Sequence, residues 1–304
     1  MKILFIHGMN QQKYTAQSLQ KYWCDIFNQG INDCHISLKS PLNIQLAFYG
    51  DLITAHHLSN HFDVDTLLPK FLLDFHVPYF SKKPSSTLVP HISSIPTFSS
   101  QHPMPIKTQL YLASQIIKDS ALREFVLLLN HFPQLHESLI HRFLIETYLY
   151  LDNPTFLQEV HQRVLSCLDP REEYIIVAHS LGTVIAYNLL QHIHSNYTIR
   201  RFITLGSPLA FRVIQSKITH PIVRPMSLHG DWFNFYSRDD FLTAFPLSDT
   251  PFNFEPPIFN QQIHTFINHP HNIIGYLQHP AVIQAILKLI LTTQPPNSCK
   301  IKAK

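Results

Sequence analysis

Residues 174–190 read YIIVAHSLGTVIAYNLL, and the pattern changes twice within them. Tyr174 to Ala178 form the β-branched apolar run expected of a strand buried on both faces of a sheet. Val184, Ile185, Leu189 and Leu190 then repeat at helical spacing. Ser180 falls at the junction, where a strand turns sharply into a helix and the side chain at the apex is expected to be exposed as a nucleophile. The turn departs from G-x-S-x-G only at its first position, where Ala178 replaces glycine. Both flanking sites must be small because strand and helix backbones approach closely there, and alanine adds one methyl group. Leu181 opens the helix, whose first N–H groups have no intrahelical acceptors. Its N–H is therefore expected to face negative charge developing on a reacting oxygen.

Glycine is scarce, with only seven in 304 residues, where an average chain holds about 7%. Gly8, Gly50, Gly182 and Gly206 each stand where an apolar strand is expected to stop. In an open α/β sheet ligands bind at the carboxyl ends of strands, so these positions outline a rim around Ser180. Gly30 and Gly230 read as ordinary turns.

A length of 304 residues with 45% hydrophobic content suits one large α/β domain with a substantial core. A formal charge of +3 and the lack of a basic run beyond the terminal CKIKAK argue against nucleic-acid binding. Cys24, Cys34, Cys167 and Cys299 have neither metal nor redox spacing, which suits a reducing compartment. The histidine pairs His57/His61, His192/His194 and His269/His271 belong to no complete ligand set, so no metal is expected. MKILFI reads as a strand rather than a signal-peptide core, which points to a cytoplasmic protein. No apolar stretch approaches the roughly 18 to 20 residues that span a bilayer, leaving a soluble chain with peripheral membrane contact at most.

In chain order, strands are expected at Lys2 to Ile6, Asn43 to Tyr49, Tyr174 to Ala178, Arg200 to Leu205 and Asp231 to Tyr236. Helices are expected at about Thr15 to Asn28, Asn153-Pro154 to Leu168, after Ser180, and at Ala281 to Leu291. Strands separated by helices imply a mostly parallel sheet covered on both faces. Between Asp51 and Pro170 no strong strand appears. Three apolar-periodic stretches there, about Val64 to Asp74, Lys107 to Phe132 and Gln134 to Leu151, read as helices of a cap, and residues 82–106 as a Pro- and Ser-rich loop.

A nucleophilic serine needs a histidine to accept its proton and a carboxylate to hold that histidine's tautomer. Where the three follow in the order Ser, acid, His, the acid belongs just past a later strand. Asp239 and Asp240 both meet that condition, directly after WFNFYS. Among the later histidines His264, His269, His271 and His279, the pair His269 and His271 lies in the expected loop. His271, ahead of Gly275 and Pro280, which read as turns before the terminal helix, has the better-defined setting.

Six ordered blocks, IHG, FYGDL, AHSLGT, FITLGSPL, WFNFYSRDD and HNIIGYLQHP, together resemble the α/β-hydrolase superfamily in its lipase and esterase-like branch. The resemblance implies a single α/β-hydrolase domain over 1–304, with 52–152 as a helical cap insertion. It also implies Ser180 as nucleophile, Asp240 as acid, His271 as base, and the N–H of Met9, after His7-Gly8, as partner to that of Leu181 in an oxyanion hole. Asp239 remains a rival acid, because the proline that commonly follows the acid is missing. The implied activity is cofactor-free hydrolysis of a small-molecule or lipid carboxylic ester. Thioester, amide or acyl-transfer chemistry on the same residues, or a non-catalytic binding module, are the alternatives.

Overall fold

The computed structural model describes residues 1–59, 143, 146, 147, 149–243, 245–266 and 269–293. Among them the strands β1 (Lys2–Ile6), β2 (Ile44–Ala47), β3 (Glu173–His179), β4 (Thr198–Leu205), β5 (Leu228–Tyr236) and β6 (Phe259–Gln262) form one sheet in the order β2-β1-β3-β4-β5-β6. Every neighbouring pair is parallel. Parallel neighbours cannot be joined by tight hairpins and need crossovers. Helices α1 (Ala16–Asp33), α2 (Gly50–Ser59), α3 (Pro154–Leu165), α4 (Leu181–His192), α5 (Arg212–Gln215), α6 (Ile273–Leu277) and α7 (Pro280–Thr293) accompany the strands.

Alternation along the strands divides the core into two layers, as the period-2 geometry requires. Ile3, Phe5, Ile175, Val177, Ile203 and Leu205 pack with α1 residues such as Trp23 and Phe27 and with Ile283 and Ile286 of α7. Leu4, Ile6, Ile176, Ala178 and Phe202 face the other way, onto Phe156 and Val160 of α3 and Val184 and Ile185 of α4. Helix α4 is buried on all sides from Leu181 to Leu190, which explains why its apolar repeat is broad rather than a single stripe.

After β1 the chain passes to β2 on one side, and then returns to place β3 on the other. The carboxyl ends of β1 and β3 thus flank a topological switch point, where doubly wound sheets open a crevice. His7 to Met9 leave one of these ends, and Ser180 the other.

Several elements differ from the sequence expectation. Helix α1 runs five residues further, to Asp33, through Gly30. This glycine is no turn. A Cβ there would lie 2.8 Å from Ile283 Cδ1 and 2.9 Å from Gln278 Cα, so its smallness lets α1 approach the C-terminal helices. Gly230 likewise lies within β5, where a Cβ would fall 1.8 Å from the Arg200 carbonyl oxygen, beside the register shift between β4 and β5. Gly50 begins α2 instead of ending β2, and Gly275 lies inside α6. Strand β6 and helix α6 were not anticipated. The expected helices Val64 to Asp74 and Lys107 to Phe132, and the loop 82–106, lie outside the described residues. Of the third stretch, residues 143, 146, 147 and 149–151 are helical. Cys24, Cys34 and Cys167 are free thiols. No described helix is long and apolar enough to cross a membrane.

Candidate active site

Ser180 is held at the turn between β3 and α4 with φ +54° and ψ −129°. Left-handed φ is unusual for a residue with a side chain and persists only where the surroundings enforce it. They do so here through hydrogen bonds. Ser180 N–H donates to Leu205 O at 3.0 Å, and the Ser180 carbonyl accepts from Thr183 N–H at 2.9 Å and Thr183 Oγ1 at 2.7 Å. Thr183 Oγ1 also bonds Ser207 Oγ at 2.8 Å, tying the turn to the loop after β4. Gly182 is sterically obligatory, since a Cβ would lie 2.3 Å from His7 O and 2.5 Å from Ile6 O. Ala178 is fully buried in the apolar core.

The Ser180 hydroxyl is not solvent-exposed, contrary to the sequence expectation: the residue is 1% accessible. Gly8 lies so close that a Cβ would meet Ser180 Cβ at 2.8 Å, and the His271 ring closes from the other side. His271 Nε2 is 2.7 Å from Ser180 Oγ, and its Nδ1 is 2.8 Å from Asp240 Oδ2. The three groups form a continuous row from a hydroxyl through an imidazole to a carboxylate. Such a row can carry the serine proton onto the ring while the carboxylate stabilises the resulting imidazolium.

Asp240 is fully buried, and burial alone would raise its pKa. The charge of His271, with hydrogen bonds from His271, Tyr276 and Thr243, outweighs this and holds the carboxyl below its ordinary range. Tyr276 OH donates to Asp240 Oδ2 at 2.7 Å and bonds Thr243 Oγ1 at 2.9 Å. Gly206, at φ +58°, leaves room for both, as a Cβ there would stand 3.2 Å from the Tyr276 ring and 3.3 Å from Asp240 Oδ2. Trp232 and Asn234 of the WFNFYSRDD block serve the scaffold. Trp232 Nε1 donates to Thr204 Oγ1 at 3.1 Å, and Asn234 Nδ2 to Asn260 Oδ1 at 2.9 Å. Asn260 in turn bonds the Leu247 N–H and carbonyl, so the sheet edge fixes the chain that follows Asp240.

The rival residues lie apart from this row. Asp239 is half-exposed and faces the exposed His264, 3.6 Å away. His269 is exposed, its N–H donating to Phe266 O at 3.1 Å. His279 Nδ1 accepts from Ala281 N–H at 3.2 Å.

Leu181 is the first residue of α4, so its N–H has no intrahelical acceptor. Met9 sits on the loop after β1, which several side chains hold in shape. Gln11 Nε2 donates to Met9 O at 2.9 Å. The Asn10 N–H donates to both Glu146 oxygens, at 3.2 and 3.0 Å, and Gln12 Nε2 to Glu146 Oε1 at 2.6 Å.

Three imidazoles are held neutral chiefly by burial. His7 and His161 are lowered to about 4 and His179 to about 3, the last also by the charge of His271. The His179 ring packs 5.0 Å from that of His271. Since the unfolded chain binds these protons near pH 6.5, the stability they confer is complete above that pH and is lost as pH falls toward the folded-state values. Each histidine should lower unfolding free energy by roughly 1 kcal/mol per pH unit across that window. Urea unfolding at pH 7.5, 6 and 5 should show midpoints falling steeply, whereas a flat profile would contradict the neutral buried rings.

Sequence reasoning missed Tyr276, Thr243, His179 and Glu146. Tyr276 could have been found, since it follows the histidine by five residues in the same block. Glu146 carried no local signal because its partners are more than 130 residues away in sequence. No known family model matches the chain, and no curated protein matches it.

Proposed function

We propose that the protein is a serine hydrolase of the α/β-hydrolase type, in the lipase and esterase-like branch, that cleaves a carboxylic ester through an acyl-enzyme. The observation that supports this best is the row Ser180 Oγ, His271, Asp240, with contacts of 2.7 and 2.8 Å, placed on a left-handed turn at the end of a central parallel strand. The sheet order, with Ser180 beside the switch point, agrees with that reading.

In the proposed reaction Ser180 Oγ attacks the carbonyl carbon while its proton passes to His271 Nε2. The N–H groups of Met9 and Leu181 stabilise the oxyanion, each contributing on the order of 3 kcal/mol. Collapse breaks the ester C–O bond, and His271 gives its proton to the departing alkoxide, releasing an alcohol. Water, deprotonated by His271, attacks the acyl-serine carbon; the carboxylic acid leaves and the proton returns to Ser180. Asp240 holds Nδ1 protonated throughout, so that Nε2 is the basic nitrogen.

The same residues could serve thioesters, amides or transfer to an alcohol, because neither sheet nor serine row selects the leaving group. A panel of p-nitrophenyl esters, matched thioesters and anilides, with and without an added alcohol, distinguishes them. Hydrolysis of the esters with the highest kcat/KM is expected. A preference for the thioester or anilide, or exclusive transfer to the alcohol, would replace the ester assignment.

A further inference from the structure

His7 is completely buried, and every polar contact of its ring serves the loop beside Ser180. Its Nε2 accepts the Tyr49 N–H at 3.2 Å, so that nitrogen carries no proton. The single ring proton is therefore on Nδ1, which lies 2.7 Å from Gly8 O and donates to it. The imidazole stacks on the Tyr49 ring, with centroids 3.8 Å apart and planes 19° apart, and Tyr49 OH donates to the His7 carbonyl. Ring position, tautomer and orientation are thus all fixed by Tyr49. The burial that keeps the ring neutral protects this arrangement across the neutral range.

The consequence lies in the next atom of the chain. Gly8 O and Met9 N–H belong to one planar trans peptide, in which carbonyl and N–H point in opposite directions. Holding Gly8 O therefore holds the direction of the Met9 N–H. No Cβ at residue 8 could be accommodated against Ser180, so this peptide packs directly on the turn that carries the hydroxyl.

We propose that His7, in its Nδ1–H tautomer, is a positioning residue that aims the Met9 N–H at the substrate oxyanion. The inference rests on the serine-hydrolase reading and assigns a task to a side chain that does not touch substrate. It predicts a separation between two substitutions. Asn places a donor near the position of Nδ1, whereas Gln retains a polar group only near that of Nε2. His7→Gln should lower kcat on the order of 10²-fold, the usual loss of one oxyanion donor, with KM changed less than about threefold. Affinity for a boronic acid, whose tetrahedral adduct mimics the oxyanion, should weaken by a similar factor. His7→Asn should recover at least tenfold of the lost kcat.

Wild-type turnover with His7→Gln and His7→Asn equally active, or a loss that appears in KM rather than kcat, would overturn the inference while leaving the serine-hydrolase reading intact. A wild type inert toward esters would overturn both. Should the variants not fold, long-range ¹H–¹⁵N correlation spectra of the wild-type protein at pH 7 decide the matter. A protonated Nδ1 on His7 supports the assignment, and a protonated Nε2 overturns it.

Discussion

Replacing Ser180 with alanine should remove ester turnover almost entirely, with kcat falling on the order of 10⁶-fold. The size of the loss follows from the chemistry, since among the described residues Ser180 Oγ is the hydroxyl that meets His271 Nε2. His271 Nε2 has Ser180 Oγ as its partner at 2.7 Å, and the variant leaves that nitrogen without a proton to accept. Folding should survive. The turn is held by backbone contacts and Thr183, which alanine leaves in place, and loss of one hydroxyl hydrogen bond changes stability by about 1 kcal/mol. Steady-state kinetics together with thermal melting check both halves of the expectation. Retained turnover in a folded variant would remove Ser180 from the mechanism.

Asp240→Asn should be the next most damaging change, lowering kcat by about 10⁴-fold. An amide facing His271 Nδ1 can donate a hydrogen bond where the carboxylate only accepts, which favours the tautomer with Nε2 protonated. That tautomer cannot take the serine proton. Charge is lost as well, so an imidazolium formed in the transition state would stand in a buried site without its counterion. Asp239→Asn is the control for this change. Asp239 is half-exposed and faces His264 rather than His271, and a contact between such exposed side chains contributes little. Activity within about twofold of wild type is expected from that substitution. Were Asp239→Asn the severe variant and Asp240→Asn the mild one, the acid would have to be reassigned.

The contrast between these two aspartates shows where sequence pattern stops being informative. Both follow the same strand, and composition could not separate them. What separates them is the tight turn in which Asp240 N–H bonds Ser237 O at 3.2 Å, placing one side chain inward beneath His271 and the other toward solvent. Local patterns exposed the strands that are buried on both faces, because such strands must be continuously apolar. They exposed Ser180 through the change of period at its turn. Edge strand β6, FNQQ, has one intermediate and three exposed positions and no apolar run, so it gave no such signal. Short helix α6 was hidden by Gly275, which reads as a turn but packs against Thr265. Gly30 and Gly230 were misread for a related reason. They read as ordinary turns, yet the constraint on them is a close approach by residues distant in sequence, Ile283 in one case and Arg200 in the other. His271 was favoured over His269 from its setting, but only three-dimensional geometry shows its two ring nitrogens bridging Ser180 and Asp240. The bonds of His7 and Glu146 to the loop after β1 are likewise products of folding.

An activated nucleophile at Ser180 is open to covalent capture. The folded wild-type protein would be treated with a fluorophosphonate probe, digested and analysed by mass spectrometry. A single adduct is expected on the peptide carrying Ser180, absent from Ser180→Ala and strongly slowed in Asp240→Asn. No adduct on the wild type, or one that persists in Ser180→Ala, would contradict it.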